Sequence, residues 1–153
     1  MHTMSYGSLT FAASGRHAID EAFAYLSRDP VERSMIERLE RSSVERRISI
    51  NHVDNDSWDP NTNIIHWDPH SALRTTQGGR QSPALGLGHE IDHALENTWT
   101  AEKLQLTPDR RFDSVEERRV ILGSERHAAL TLGEALRYDH SGSCYRVPGP
   151  TYR

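Results

Sequence analysis

The segment His89-Glu90-Ile91-Asp92-His93 combines residue types and a spacing that suit metal-assisted hydrolysis. In a helix with about 3.6 residues per turn, side chains four positions apart lie on the same face. His89 and His93 can therefore direct two imidazole nitrogens at one metal ion, while Glu90 lies beside that ion and can accept a proton from water. The spacing predicts a zinc site with His89 and His93 as ligands and Glu90 as general base.

The residues around this motif predict the helix that it needs. Ser82 is a favourable N-cap residue, and Pro83 is well tolerated at the first helical position. Apolar residues then recur at helical spacing on the side opposite to the two histidines: Ala84, Leu87, Ile91, Ala94 and Leu95. We expect one face of the helix to pack in a core and the other to present the ligands. Gly86 lies on the ligand side, where the missing Cβ is expected to leave room for metal or substrate.

Composition limits the classes of protein to which the chain can belong. Its 153 residues are enough for a single domain over 1–153. The net charge of −4 provides no basic surface for nucleic acid, and no apolar segment is long enough to cross a membrane. The lone Cys144 excludes an internal disulfide. The first residues do not predict a signal peptide. We therefore expect any export to require a dedicated secretion system or a larger parent polypeptide, and otherwise a cytoplasmic location.

The remaining pattern predicts strands first and helices afterwards. We expect a weak strand at 5–13, helices at 16–27 and from Pro30, strands at 46–53 and 64–67 separated by a loop at 54–63, and, after the motif helix, helices at 115–122 and 125–132. This order indicates an α+β domain in which a small mixed sheet packs on helices that include the HExxH helix. The strand at 64–67 is either an edge strand that receives extended substrate or an ordinary core strand.

A catalytic zinc needs a third protein ligand, and the downstream sequence offers several. The acidic candidates are Glu116, Glu117 and Glu125, and the nitrogen alternatives are His127 and His140. A third histidine at the HExxHxxGxxH position is excluded, because Trp99 stands there. Glu117 is our first choice, although Ser114 and Glu117 also match a capping box, in which the Glu117 carboxylate would bond to the Ser114 amide.

The segment 85–95, followed by Glu116-Glu117-Arg118-Arg119-Val120 and then Ser124-Glu125 through Gly133 to Arg137, resembles the NleD-like effector zinc metalloproteases. These proteins are type III secretion effectors and toxin domains of bacteria. The stretch 65–69 (IHWDP) adds to a resemblance that covers roughly residues 45–142. The chain departs from the family at Ser124-Glu125-Arg126 and Ala129, where we expect Thr-Glu-Asn and a following Arg, and at His140, where we expect Tyr.

The resemblance implies a zincin-like fold and a secreted bacterial effector or toxin domain that cleaves a protein of its target cell. Together with the motif, it predicts one Zn²⁺ per chain on His89, His93 and Glu117. The candidate oxyanion donors, which follow the last helix, are Arg137, Tyr138 and His140. The expected partners are the protein substrate and a cognate chaperone or immunity protein, with no nucleic acid and no membrane.

Two other functions compete with this prediction. The first is a cytoplasmic HExxH peptidase that cleaves a regulator of its own cell. The second is a non-catalytic metal-binding module, which the intact Glu90 argues against, because a structural metal site has no use for a general base. A phosphodiesterase is disfavoured by the acidic charge balance, since phosphate substrates favour basic surfaces.

Overall fold

A computed structural model describes residues 2–96 and 103–153. Its strands are β1 (Thr3–Tyr6), β2 (Leu9–Ala12), β3 (Arg46–Ile50), β4 (Ser57–Asp59), β5 (Ile64–Trp67), β6 (Ser71–Arg74), β7 (Arg80–Gln81), β8 (Pro108–Asp109), β9 (Asp113–Ser114) and β10 (Ser143–Arg146). Its helices are α1 (Arg16–Leu26), α2 (Pro30–Arg41), α3 (Pro83–Leu95), α4 (Val115–Val120) and α5 (Arg126–Leu132). None of the helices in the described ranges is long and apolar enough to cross a membrane. Trp99 lies outside these ranges.

The main sheet is mixed, with five strands in the order β1-β2-β3-β5-β4. β2, β3 and β5 run parallel to one another, whereas β1 and β4 pair antiparallel at the two edges. A smaller sheet, in the order β10-β6-β7, is antiparallel. The structure confirms the predicted α+β class.

A single hydrophobic core joins the main sheet to α1, α2, α3 and α5. Ile48 of β3 and Ile65 of β5 are paired in the sheet and almost fully buried. Trp67 at the end of β5 is also fully buried, and its indole Nε1 donates to the Pro83 carbonyl at 2.9 Å. This bond ties β5 directly to the first turn of α3, so the central sheet fixes the position of the motif helix.

Residues from the end of the chain hold the start of α3. As predicted, Ser82 caps the helix, because its Oγ accepts from Leu85 N at 3.3 Å. The buried Glu134 carboxylate accepts from Ser82 N at 2.6 Å and from Ser82 Oγ at 2.7 Å, and Ala84 N donates to the Pro150 carbonyl at 2.8 Å. These contacts satisfy amide groups that a helix N-terminus leaves without helical partners.

The α3 helix is buried on more than one face, and its glycines admit carboxylates from neighbouring elements. A Cβ on Gly86 would lie 2.7 Å from Asp56 Oδ2, and a Cβ on Gly88 would lie 2.6 Å from Glu32 Oε2. The expectation that Gly86 leaves room for metal or substrate is therefore wrong: the Asp56 side chain occupies that space.

The structure corrects the predicted elements in three places. The segment predicted as one strand at 5–13 is a hairpin of β1 and β2, whose turn uses Gly7 at φ 58°. The predicted loop at 54–63 contains β4. Most importantly for function, β5 is paired on both sides, with β3 and β4, so it cannot receive a substrate strand. The 64–67 segment is a core strand, and β4 is the edge.

Glu32 in α2 gives the fold a measurable dependence on pH. Its carboxyl is fully buried, and neither oxygen has a hydrogen-bond partner among the described residues. Burial, with the charge of Asp29 adding to it, raises the pKa of Glu32 well above its ordinary value. The folded protein therefore keeps the Glu32 proton at pH values where the unfolded chain has released it, and unfolding becomes more favourable as pH rises.

We expect Glu32→Gln to raise the free energy of unfolding above that of the wild type. The difference should grow between about pH 5 and about pH 7, by at most roughly 1.4 kcal/mol per pH unit. Urea denaturation at several pH values measures it. Glu37→Gln, at an exposed position of the same helix, is the matched control and should show no such trend. An identical pH dependence in Glu32→Gln and wild type would contradict the assignment.

Candidate metal centre

Three of the predicted ligand atoms converge on one point. The Nε2 atoms of His89 and His93 lie 3.0 Å apart, and Glu117 Oε2 lies 2.8 Å from the first and 3.1 Å from the second. Zinc bonds of about 2.0–2.2 Å in a tetrahedral arrangement place neighbouring ligand atoms about 3.3 Å apart. The two imidazoles and the Glu117 carboxylate thus need only a small expansion to surround one zinc ion.

The other two acidic candidates bond to the opposite sides of the imidazole rings. His93 Nδ1 is 2.7 Å from Glu116 Oε2, and His89 Nδ1 is 2.8 Å from Glu125 Oε1. A carboxylate at Nδ1 keeps the proton on that nitrogen and leaves the Nε2 lone pair for a metal. Glu116 and Glu125 are therefore placed to orient the two imidazoles, and Glu117 is the carboxylate that faces both Nε2 atoms, where a metal would bind.

Each orienting carboxylate is itself held by an arginine. Arg119 donates to Glu116 through Nε at 2.7 Å and Nη2 at 2.9 Å. Arg137 donates to Glu125 through Nε at 3.0 Å and Nη2 at 2.5 Å. Burial alone would raise the pKa of Glu125, but Arg137 and His89 lower it to about 2. Such two-point contacts fix the carboxylate plane as well as its charge.

The local sequence explains how α4 brings two consecutive glutamates to different sides of the site. Ser114 Oγ accepts from Glu117 N at 3.1 Å and so caps α4 next to the motif helix. Consecutive helical side chains are about 100° apart, so Glu117 faces the Nε2 atoms while Glu116 reaches the outer edge of His93. The reciprocal half of the predicted capping box is not formed, because Ser114 N donates to the Phe112 carbonyl at 2.7 Å.

A distorted turn returns the chain from α4 to the back of His89. The turn, Ile121–Glu125, has a kink at Gly123, with φ −99° and ψ −108°. The sequence predicted two separate helices, at 115–122 and 125–132, and the structure shows only a short interruption between them, after which the helical path resumes. This interruption places Glu125 behind His89.

The charges at the site favour a cation at its centre. Burial would lower the pKa of His89, but the bonds to Glu117 and Glu125 raise it to about 10. In the same way Glu116 and Glu117 raise the pKa of His93 to about 9 against its burial. The two imidazoles in turn hold the pKa of Glu117 well below its ordinary range. A divalent cation can replace the protons that these carboxylates attract.

The converging atoms open onto a cleft of about 540 Å³. Glu90 lies in this cleft, with Oε1 3.9 Å from His89 Nε2, and burial raises the pKa of its carboxyl. The residues that line the cleft come from the β4 region, from α3, from the segment before β8, from α4 and from the C-terminal segment: Asp56, Ser57, Trp58, Pro60, Glu90, His93, Glu96, Gln105, Leu106, Glu116, Glu117 and His140. The edge strand β4 therefore borders the site.

The three predicted oxyanion donors have different environments. Arg137 lies behind His89, with Nη2 3.3 Å from Nδ1, on the side away from the metal position. Tyr138 is about half exposed, and its ring lies 6.0 Å from the Arg126 guanidinium carbon. Only His140 reaches the cleft, with Nε2 3.4 Å from Glu117 Oε2. The other nitrogen alternative for the third ligand, His127, bonds to Asp29 elsewhere in the fold.

Two residues that sequence reasoning did not connect to the site contribute to it. Asp113 Oδ2 lies 2.6 Å from His140 Nδ1. Asp56 lines the cleft and approaches Gly86 of α3. The sequence gave no signal for either contact, because both depend on how distant loops pack.

No protein-family model matches the chain, and neither does any curated protein or solved structure. The resemblance to the NleD-like effectors therefore stays a prediction from sequence. The metal centre is argued from its own geometry.

Replacing the three glutamates one at a time should separate the ligand from the orienting groups. We expect Glu117→Ala to lose tight zinc binding, because it removes a ligand. Glu116→Gln and Glu125→Gln should weaken binding by about 10- to 100-fold, as is typical for groups that orient a ligand. Titration of zinc against a competing chelator measures the affinities.

Ser114→Ala serves as the control for capping, because it removes the hydroxyl that accepts from Glu117 N and leaves every ligand and orienting side chain in place. It should cost about 1 kcal/mol of stability and leave zinc affinity unchanged. If Glu117→Ala still binds zinc tightly and either Glu116→Gln or Glu125→Gln loses zinc binding completely, the glutamate replaced in that second variant is the ligand.

Proposed function

We propose that this chain is a zinc-dependent endopeptidase of zincin-like architecture. The main support is that the two imidazoles and the Glu117 carboxylate converge beside Glu90 in an open cleft. Two histidines and one carboxylate, with room for a further ligand, are typical of catalytic zinc sites and not of closed structural ones. The donor atoms fit zinc, since imidazole nitrogen and carboxylate oxygen both bind it at short distances.

When bound, zinc supplies Lewis acidity to a water molecule and to a substrate carbonyl. His89, His93 and Glu117 would hold the ion. Glu116 and Glu125 would keep the Nδ1 protons of the two imidazoles in place, so that both rings stay oriented without rearrangement during the reaction.

Glu90 is the proposed general base. Its side chain is only 10% exposed, and no described residue donates a hydrogen bond to it. Burial raises the pKa of this carboxyl, which makes it a stronger proton acceptor than an exposed glutamate. Glu90 can therefore take a proton from water and later transfer it to the leaving amine.

His140 is the proposed donor to the oxyanion that forms on the substrate carbonyl. It is the one of the three sequence candidates whose side chain lines the cleft. Arg137 has a different proposed role: through Glu125 it positions His89. Tyr138 has no proposed role in the reaction.

A protein substrate fits the edge strand at the cleft. Among the described residues β4 pairs with β5 alone, and Ser57 and Trp58 of β4 line the cleft next to Glu90. An extended peptide can bond to the free side of β4 through its backbone and reach the metal centre. This position replaces the one that the sequence suggested at 64–67.

Delivery into another cell is part of the proposal, and its support is the sequence resemblance alone. The same resemblance underlies the proposed cognate chaperone or immunity protein. A non-catalytic metal-binding module is the second candidate function, and the observation that favours it is the position of His140, close enough to Glu117 to fill the remaining place at the metal.

The test of the proposed activity is Glu90→Gln. An amide of nearly the same size cannot accept the proton, so activity should fall by about 10²- to 10⁴-fold while zinc content is unchanged. Cleavage of fluorescently labelled casein by the zinc-loaded protein, with and without chelator, provides the readout. Wild-type protein that contains zinc and leaves casein and a random peptide library intact would contradict the proposal, as would full activity in Glu90→Gln.

Tyr138→Phe should retain wild-type kcat/KM, because its hydroxyl lies outside the cleft lining. His140→Gln should lower kcat/KM through loss of the cleft imidazole. Steady-state cleavage of one peptide by both variants makes the comparison. A large loss of kcat/KM in Tyr138→Phe, with kcat/KM unchanged in His140→Gln, would identify Tyr138 and not His140 as the oxyanion donor.

A further inference from the structure

His140 has the same bonding pattern as the two histidines of the HExxH motif. Its Nε2 faces Glu117 Oε2 at 3.4 Å, just as the Nε2 atoms of His89 and His93 face that oxygen at 2.8 and 3.1 Å. Its Nδ1 lies 2.6 Å from Asp113 Oδ2, just as theirs lie 2.8 and 2.7 Å from Glu125 and Glu116. A carboxylate on the far nitrogen is the usual arrangement of a metal-binding histidine.

The distances bring His140 close to two of the three proposed ligands, His89 and Glu117. Its separation of 3.4 Å from Glu117 Oε2 is close to the roughly 3.3 Å expected between neighbouring ligands of tetrahedral zinc. The donor atoms of His89, Glu117 and His140 all lie within 4.8 Å of one another. The rings of His89 and His140 lie nearly parallel, at 19° with centroids 6.4 Å apart.

The fold attaches His140 to the same hairpin that leads into α4. His140 N donates to the Arg111 carbonyl at 3.0 Å, between β8 and β9, and Asp113 of β9 holds the His140 ring. Asp113 has φ 66°, in the left-handed region that a non-glycine residue rarely adopts. Backbone strain of this kind costs about 1–3 kcal/mol and is frequent at functional sites. The hairpin therefore sets the Asp113–His140 pair and, two residues later, the start of the helix that contains Glu117.

We infer that His140 is a fourth protein ligand of the metal centre when no substrate is bound, and that Asp113 is the residue that positions it. This inference rests on the zinc site of the proposed function. His140 is the most exposed and the most distant of the four ligands, with a third of its side chain accessible, so it is the one that a substrate carbonyl would displace. Once released, Nε2 can take up a proton from solvent while Asp113 keeps the Nδ1 proton, and the resulting imidazolium can donate a hydrogen bond to that carbonyl.

The coordination can be counted directly. X-ray absorption at the zinc edge of the loaded wild-type protein should show three imidazoles, and His140→Ala should show two. Zinc affinity, measured against a competing chelator, should fall at least 10-fold in His140→Ala and about 10-fold in Asp113→Asn, within the range for loss of an orienting carboxylate. His52→Ala removes an exposed histidine away from the cleft and should change neither quantity.

Two imidazoles in the wild type, or zinc as tight in His140→Ala as in His52→Ala, would overturn the inference. The same experiments distinguish failure of this inference from failure of the proposed function. If the zinc has two imidazole ligands and cleavage depends on Glu90, His140 is not a ligand, but the chain is still an endopeptidase. Three imidazoles without any cleavage would confirm the ligand and identify the centre as structural. A chain that binds no zinc would overturn both.

Discussion

The bonds between the two motif histidines and the carboxylates of Glu116 and Glu125 are the interaction on which the site depends. The α3 helix is enclosed in the core, and a buried imidazole with an unbonded nitrogen would cost stability. The two carboxylates satisfy the Nδ1 atoms, and Arg119 and Arg137 satisfy the carboxylates. The two Nε2 atoms are then left to face Glu117 and the proposed metal.

In the same bonds, the attraction between opposite charges is offset by the cost of burying them. Without a cation, Glu117 pairs with both imidazoles, and three further buried carboxylates lie around them. A buried ion pair rarely contributes much net stability, because desolvation of both charges offsets their attraction. The buried ion pairs alone therefore contribute little net stability. Binding of a divalent cation would stabilise the folded state by mass action and would also supply the chemistry of the site.

The sequence predicted the parts of the structure that depend on local patterns. The helix that the motif needs, its Ser82 cap and the start of α2 at Pro30 are each determined within a few residues, and all are present. The strand β4 was missed because its residues lie among turn-forming ones and become a strand only by pairing with β5. The roles of Glu116, Glu117 and Glu125 could not be separated either, since they depend on the entry angle of α4 and on the kink before Glu125.

The glycines of α3 show why local propensity is a poor guide inside this fold. Each costs about 1 kcal/mol of helix propensity relative to alanine, and in a metalloprotease motif an open face for substrate is the obvious explanation. The structure gives a different one. Gly88 admits the buried carboxyl of Glu32, and Gly86 admits Asp56. The lower helix propensity at these two positions is thus explained by the close approach of two acidic side chains to the helix backbone.

The Asp56 contact has a consequence for the cleft. Asp56 Oδ1 accepts from Asp68 N at 2.8 Å, just after β5, while Oδ2 lies against Gly86. Asp68 in turn accepts from Arg146 of β10 at 2.5 Å. Ser57, the first residue of β4, follows Asp56 directly, so this set of contacts fixes the distance between the free edge of β4 and the motif helix. A Cβ at position 86 would push that edge outward. Gly86 is thus best explained by its effect on the width of the cleft, because it lets Asp56, and with it β4, lie close to the motif helix.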